Sequence, residues 1–183
     1  MTGERTLPVE RASAWRALND PQLLKRAIPG CESLLANAAG GYDLVITAAI
    51  GPVRARFKGS MQLADVVAPE SYTIRFEGQG GPAGFARGDA HVSLTELTGS
   101  AARRTSVRYR VSAQVGGRLA QVGSRLIDAA AGAMADQFFG SFSALLAAPA
   151  EAAGSGAPVA GLGLRTLLKA FLRRLFRRDR APP

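Results

Sequence analysis

The sequence has very few of the residues that usually carry redox or metal chemistry. Among its 183 residues there is one cysteine, Cys31, and one histidine, His91. A single cysteine excludes an internal disulfide and is typical of proteins from reducing compartments. One cysteine and one histidine cannot assemble any of the common zinc-ligand sets. We therefore expect neither a disulfide framework nor a zinc site.

Long apolar segments are also missing. No uncharged apolar run approaches the roughly 20 residues that a membrane-spanning helix needs. The N-terminal residues 1–6 lack the basic start and apolar stretch of a secretory signal, so we expect a cytoplasmic protein. Apolar residues make up 47% of the chain and charged residues 20%, which favours one globular domain over disorder.

Positive charge is unevenly distributed along the chain. Residues 161–183 hold seven Lys or Arg and one Asp, so they carry +6 of the total formal charge of +9. The preceding residues are almost balanced and need no polyanionic partner. The C-terminal excess needs its own explanation.

The N-terminal third alternates between strand and helix signals. We predict a short strand over residues 3–9 and helices over 12–18 and 21–27. Asn19-Asp20-Pro21 is a typical stop and restart between two helices, and Pro29-Gly30 indicates a turn.

From residue 42 to 115 apolar residues recur with period two, which predicts strands with one covered face. Breaks near 37–41, 51–52, 65–71 and 98–101 fit antiparallel connections. The predicted covered face carries Val53, Ala55, Phe57, Met61, Tyr72, Ile74, Phe76, Val107, Tyr109 and Val111. The opposite face carries Arg54, Arg56, Lys58, Arg75, Arg108 and Arg110, which we interpret as a solvated surface rather than a docking site.

After Gly116-Gly117 the period becomes helical and predicts one long helix over residues 118–146. A meandering sheet followed by a long helix indicates an α+β fold in which the sheet curls around the helix. We thus predict a domain over residues 1–146, a flexible Ala/Gly/Pro linker over 147–161 and a separate basic tail over 162–183.

The basic tail has the spacing of an amphipathic helix. Its apolar residues recur at helical intervals and place one apolar stripe between arginines, a pattern typical of helices that lie in the interface of an anionic membrane. Packing in a partner's groove and binding to nucleic acid are the alternatives. The predicted membrane-binding residues are Leu164, Arg165, Leu167, Leu168, Lys169, Phe171, Leu172, Arg173, Arg174, Leu175, Phe176, Arg177 and Arg178.

Several motifs of the body resemble the family of the CoxG subunit of carbon monoxide dehydrogenase, within the START/Bet v 1-like (SRPBCC) superfamily. The resemblance covers roughly residues 3–146. It departs from the family at residues 11–14, which lack the proline expected before Trp15. The matching stretches are residues 15–21, 28–34, 50–53, 57–59, 80–88 and 113–127.

The resemblance implies a helix-grip fold with a cavity between a curved antiparallel sheet and a long helix. It also implies association with a molybdenum hydroxylase, such as carbon monoxide dehydrogenase, and a role in linking that enzyme to the membrane. It does not imply a redox role for this chain.

Small residues on both predicted inner walls fit either a cavity or close packing of the two walls, and the cavity that the resemblance implies leads us to expect a ligand space. An apolar pocket with Tyr72 and Tyr109 as polar handles suits a lipophilic molecule such as a quinone. The predicted cavity residues are Ala55, Phe57, Met61, Tyr72, Phe76, Ala90, Tyr109, Ile127, Ala130 and Met134.

Enzymatic motifs are weak. The predicted inner face offers only tyrosines as titratable groups, and these are poor bases at neutral pH. The run Gly78–Ala83 fits G-x-G-x-x-A, but a strand follows it where a dinucleotide site needs a helix. We interpret it as a turn, Cys31 as a buried inert thiol and His91 as a solvated side chain.

The sequence leads to one functional hypothesis. The chain is a non-enzymatic carrier or adaptor, peripheral to the inner face of the cell membrane, with no metal or resident cofactor and no nucleic-acid partner. Its expected partners are a hydrophobic small molecule, a molybdenum hydroxylase and an anionic membrane surface. The alternatives are an enzyme of the same fold, of cyclase or hydrolase type, and a scaffold with a filled core.

Overall fold

A computed structural model describes residues 1–98 and 103–148 of the chain. Two short helices separate the first two of seven strands, and two further helices end the described part. The strands are β1 (Thr2–Leu7), β2 (Cys31–Ala36), β3 (Tyr42–Ile50), β4 (Val53–Val67), β5 (Ser71–Gln79), β6 (Phe85–Leu97) and β7 (Arg104–Gly116). The helices are α1 (Arg11–Leu18), α2 (Pro21–Ala27), α3 (Arg118–Gln121) and α4 (Ser124–Ala147).

All seven strands form one antiparallel sheet in the order β1-β7-β6-β5-β4-β3-β2. Strands β2 to β7 follow one another as hairpins, and β1 joins the far side by pairing with β7. The α+β prediction, with a curved antiparallel sheet and a long C-terminal helix, is confirmed. The predicted breaks at 37–41 and 51–52 coincide with the β2–β3 and β3–β4 turns.

The junction between α1 and α2 forms as the Asn-Asp-Pro signal predicts. The Asp20 carboxylate accepts hydrogen bonds from the backbone N–H groups of Gln22 (2.8 Å) and Leu23 (3.3 Å). It thereby satisfies two N–H groups that a helix start leaves without partners. Pro21 occupies the first turn, where its missing N–H costs nothing.

Two elements differ from the prediction. Strand β2 was not predicted, since it precedes residue 42, where the period-two pattern begins. Its register shifts between Cys31 and Ser33, and this irregularity disrupts the alternation there. The prediction of one helix over 118–146 is wrong, since the chain breaks after α3. Gly123 adopts a φ of 93°, which lies outside helical geometry, so α4 begins afresh at Ser124.

The concave face of the sheet holds two separate groups of buried side chains. The larger, which we call the main core, forms where α1, α2 and the C-terminal half of α4 cover the sheet, and it includes Trp15, Tyr72, Val107 and Phe142. The smaller, which we call the end cluster, consists of Val53, Ala83 and Leu119. It packs beneath α3 at the other end of the strands.

Candidate functional site

Between the main core and the end cluster, a band of apolar side chains remains half-exposed on the concave face. We call this band the central interval. Its members keep intermediate exposure and belong to neither buried group. From the sheet come Ile46, Ala48, Phe76, Ala90 and Val111, and from α4 come Ile127, Ala130, Ala131 and Met134.

The strand registers divide the sheet residues of the interval into two groups: Phe76, Ala90 and Val111 lie together on β5 to β7, whereas Ile46 and Ala48 of β3 pair with Phe57 and Ala55 of β4. Ala90 pairs with Ile74 of β5 and Val111 of β7, and Phe76 pairs with Gly88. Ala113 points to the same face as Val111, two residues further on, and yet it is exposed. A filled core leaves few such accessible apolar groups, so these side chains are only partly covered by the helix and remain accessible to solvent.

Glycines shape the sheet along this band. A Cβ added to Gly59 would come within 2.1 Å of the Glu77 carbonyl oxygen, and one added to Gly88 within 2.0 Å of the Ser112 carbonyl oxygen. Neighbouring strands therefore approach these positions more closely than a side chain would permit. No side chain fits at either position without a shift of the neighbouring backbone.

The predicted cavity residues fall in three places. Phe76, Ala90, Ile127, Ala130 and Met134 line the central interval. Ala55 and Phe57 pack against the end cluster. Met61, Tyr72 and Tyr109 belong to the main core or pack against it. The prediction omitted Ile46, Ala48, Val111 and Ala131, although the same alternation and helical spacing would have identified them.

The two tyrosines have different surroundings. Tyr72 is 3% exposed, and its ring meets the edge of Trp15 at a centroid distance of 5.3 Å. Burial raises the pKa of Tyr72 far above its usual value, so it stays neutral. Tyr109 lies nearer the interval, two residues before Val111 on β7 and on the same face. It stacks on Phe139 of α4. Its hydroxyl lies against Gly3.

Charged side chains on the concave side lie at its margins. Arg5 of the edge strand β1 pairs with Asp136 of α4, and this hydrogen bond raises the pKa of Arg5. Cys31 is half-buried beside α2, and burial raises the pKa of its thiol. Among the described residues, no group of three or more His, Cys, Asp or Glu is placed to hold a metal ion.

The convex face is polar and charged. All six predicted basic residues are exposed there, and two form ion pairs: Arg56 with Glu32 at 2.7 Å and Arg108 with Glu4 at 3.1 Å. A groove of about 540 Å³ also lies on this face. Its arginines, Arg75 and Arg87, stand opposite Asp89 and Glu77 on neighbouring strands. The opposed charges compensate one another, as on a solvated surface.

The remaining sequence interpretations concern a turn and a histidine. Gly81 and Gly84 adopt φ values of 59° and 107° around a short 3-10 turn, which confirms that the glycine-rich run is a turn. His91 is exposed on the convex face, within 3.4 Å of the Thr73 hydroxyl.

No helix among the described residues is long and apolar enough to cross a bilayer. The predicted membrane-binding residues 164–178 lie outside the described residues.

A curved seven-stranded antiparallel sheet that holds a C-terminal helix against an apolar concave face defines a helix-grip protein of the Bet v 1/SRPBCC class. The sequence pattern of CoxG, the G subunit of carbon monoxide dehydrogenase, matches residues 3–147. The chain therefore belongs to the CoxG family, as its motifs predict. A comparison with curated proteins gave no match.

Solved structures show the same fold. A conserved protein from Geobacillus kaustophilus is 27% identical, with a TM-score of 0.71 over 80% of this chain and 93% of its own. A protein from Chromobacterium violaceum is 15% identical, with a TM-score of 0.57 over 81% of this chain and 98% of its own. An aromatase/cyclase from a Streptomyces species is 12% identical, with a TM-score of 0.56 over 85% of this chain and 98% of its own. The last two similarities concern the fold alone.

Proposed function

We propose that this protein is a non-enzymatic carrier that holds an uncharged lipophilic molecule in the central interval. One observation carries the proposal, namely the band of half-exposed apolar side chains between two buried groups. Such a surface binds apolar ligands because each contact removes apolar area from water. Family membership and fold both support a ligand-binding or carrier role.

The chemistry of the walls favours a neutral ligand. The nine side chains of the interval are all apolar, so an ionised group of a ligand placed there would lose its hydration without a partner. Tyr109 at the margin could supply one hydrogen bond to a carbonyl or hydroxyl group. A quinone, with a flat apolar ring and two carbonyl oxygens, matches both properties.

The same walls argue against catalysis in the interval. General acid–base chemistry requires a group whose pKa lies near the working pH, within hydrogen-bond reach of the substrate. The interval itself contributes no titratable side chain, and Tyr72 has its pKa shifted away from neutrality. An accessory role is consistent with a family named as one subunit of a larger enzyme.

The family name and the basic tail suggest where the carrier works. We infer that the body associates with a molybdenum hydroxylase of the carbon monoxide dehydrogenase type. The tail, in whose sequence leucines recur at helical intervals between arginines, tethers the chain to an anionic membrane surface. A lipophilic cargo would then pass between enzyme and bilayer.

Extraction of the cargo tests the carrier proposal. Purified full-length protein is extracted with organic solvent, and the extract is analysed by mass spectrometry. A prenylated or otherwise lipophilic molecule in near-stoichiometric amount is expected. Protein that carries nothing, and that also fails to bind added decylubiquinone, would instead be the ligand-free scaffold.

Co-sedimentation with vesicles tests the tether. The full-length chain is expected to pellet with vesicles of phosphatidylglycerol and phosphatidylcholine, and a chain that ends at Ala148 is expected to pellet much less. As a matched control, a full-length variant with Leu168, Leu172 and Leu175 changed to Gln keeps every charge and should pellet poorly. Equal pelleting of all three proteins would disprove the tether.

A further inference from the structure

One end of the body combines an exposed leucine with arginines. This end consists of the β3–β4 turn (residues 51–52) and the segment 117–126, and we call it the arginine-flanked end. Leu126 is 50% exposed. A Cβ built on Gly51 would lie 3.7 Å from the Cδ1 atom of Leu126 and 3.2 Å from the Cγ1 atom of Val122. The turn and the start of α4 therefore form one continuous apolar surface.

The charges at this end are of one sign. Arg118 and Arg125 are exposed within the segment 117–126, which contains no acidic residue. Arg54 is exposed just after the β3–β4 turn. The nearest acidic residue along α4 is Asp128, two residues after Leu126. The exposed leucine thus shares this end of the body with three exposed arginines.

Two of the other exposed large apolar side chains have an acidic neighbour. Leu35 pairs with Asp43 of the next strand, and Val66 directly follows Asp65. An anionic surface would repel these two sites and attract the arginine-flanked end. The charge surroundings, rather than the exposure alone, distinguish Leu126 from Leu35 and Val66.

We propose that the arginine-flanked end docks on an anionic membrane surface, with Leu126 in the interface and Arg54, Arg118 and Arg125 at the lipid phosphates. This combination of apolar insertion with basic groups is the one that lipid interfaces favour. The proposal goes beyond the tether, because a tether sets only proximity whereas this contact sets the orientation of the body. It does not depend on which ligand the interval holds.

The orientation also brings the interval close to the bilayer. The end cluster of Val53, Ala83 and Leu119 lies behind this surface, and Ile50, Ala55, Phe57, Val115 and Val122 pack around it. Val122 belongs both to this group and to the docked surface, so the two apolar surfaces meet there.

A tryptophan placed at the contact tests the proposal in the full-length chain. The sole native tryptophan, Trp15, is 7% exposed in the main core and gives a constant background. Leu126→Trp is mixed with phosphatidylglycerol/phosphatidylcholine vesicles that contain a bromine-labelled lipid. We expect a blue shift and quenching of the added emission. The same vesicles made of phosphatidylcholine alone should give much weaker quenching.

Leu35→Trp is the matched control. Leu35 is more exposed than Leu126, at 66%, and it pairs with Asp43, which lies eight residues from Gly51, about 26 Å along the strand direction. Its added tryptophan should be neither shifted nor quenched. Arg118→Gln with Arg125→Gln, introduced into the Leu126→Trp chain, should reduce quenching several-fold.

Three results would overturn the docking contact. They are absent quenching of Leu126→Trp, equal quenching of the Leu35→Trp control, and equal quenching on uncharged vesicles. The tether and the docking contact can fail separately, because pelleting reports the tether and quenching at a chosen position reports the orientation. Ligand extraction remains independent of both.

Discussion

Tyr109 of β7 stacks on Phe139 of α4, with ring centroids 5.4 Å apart and ring planes inclined by 20°. Phe139 in turn meets Phe138 edge-on, and Phe138 stacks on the fully buried Phe142. The C-terminal half of α4 is thus fixed to the sheet by a chain of aromatic rings. Its N-terminal half instead borders the central interval and carries the exposed Leu126. The two halves of α4 therefore have different surroundings.

The position of the Tyr109 ring depends on the absence of a side chain at Gly3. A Cβ at Gly3 would lie 2.2 Å from the Tyr109 hydroxyl oxygen, so Gly3→Ala must displace the ring from its stack. We expect a loss of about 1–3 kcal/mol in the free energy of unfolding, measured with urea. Gly132→Ala is the control, because it meets nothing within 4 Å in α4 and should stabilise the protein by about 0.5–1 kcal/mol. A neutral Gly3→Ala would show that the ring moves without cost.

Phe142 should dominate the anchoring of α4. Its side chain is 0% exposed, so Phe142→Ala removes the burial of a whole ring and leaves a cavity. We expect a destabilisation of about 3–5 kcal/mol by urea unfolding followed by circular dichroism. Leu126→Ala, in the same helix at 50% exposure, should change stability by less than about 0.5 kcal/mol. Similar losses in the two variants would contradict the division of α4 into an anchored and an open half.

Filling the central interval should abolish ligand binding without harming the fold. Ala90→Phe places a ring in accessible space, and we expect its unfolding free energy to stay within about 1 kcal/mol of the parent. The Kd for decylubiquinone should rise at least about tenfold, since about 1.4 kcal/mol of lost binding suffices for that change. Ala17→Phe is the comparison, because Ala17 is 6% exposed in the main core and overpacking there costs about 1–3 kcal/mol. A large loss of stability in Ala90→Phe would mean that the interval is closely packed.

The Cys31 thiol should react slowly with alkylating agents. Burial raises its pKa above the ordinary value, so at any pH between neutrality and that pKa a smaller fraction is thiolate than in an exposed cysteine. We therefore measure the rate of reaction with iodoacetamide at about pH 8, near the ordinary thiol pKa. This rate should be lower in native than in urea-unfolded protein. The rise of the rate with pH should also occur at higher pH in the native protein. Equal rates and equal pH profiles in the two states would refute the shift.

The sequence predicted the concave face well because side-chain alternation is a local property. Every residue assigned to the covered face between Val53 and Val111 points to the concave side. Which of them fill the core is decided by the helices that pack on them. Tyr72 is buried because Trp15 of α1 covers it, whereas Phe76, four residues further along β5, remains half-exposed. Spacing alone cannot distinguish these two positions.

The break before α4 shows a second limit of sequence patterns. Gly123, Gly132 and Gly140 all lie within one helical pattern, yet only Gly123 leaves helical geometry. The end cluster explains the difference, since Leu119 of α3 is buried beneath the turn that Gly123 permits. The choice among three glycines is therefore made by tertiary packing.

The sheet ends on β1 at one side and β2 at the other, which makes the structure a trough rather than a sealed cylinder. In a sealed cylinder the strand ladder fixes the diameter. Here the width is set by how α4 rests in the trough, held through its C-terminal half by the aromatic rings and by the Arg5–Asp136 pair. A slight tilt of the helix would let the trough hold ligands of different width, while every backbone hydrogen bond of the sheet stays intact.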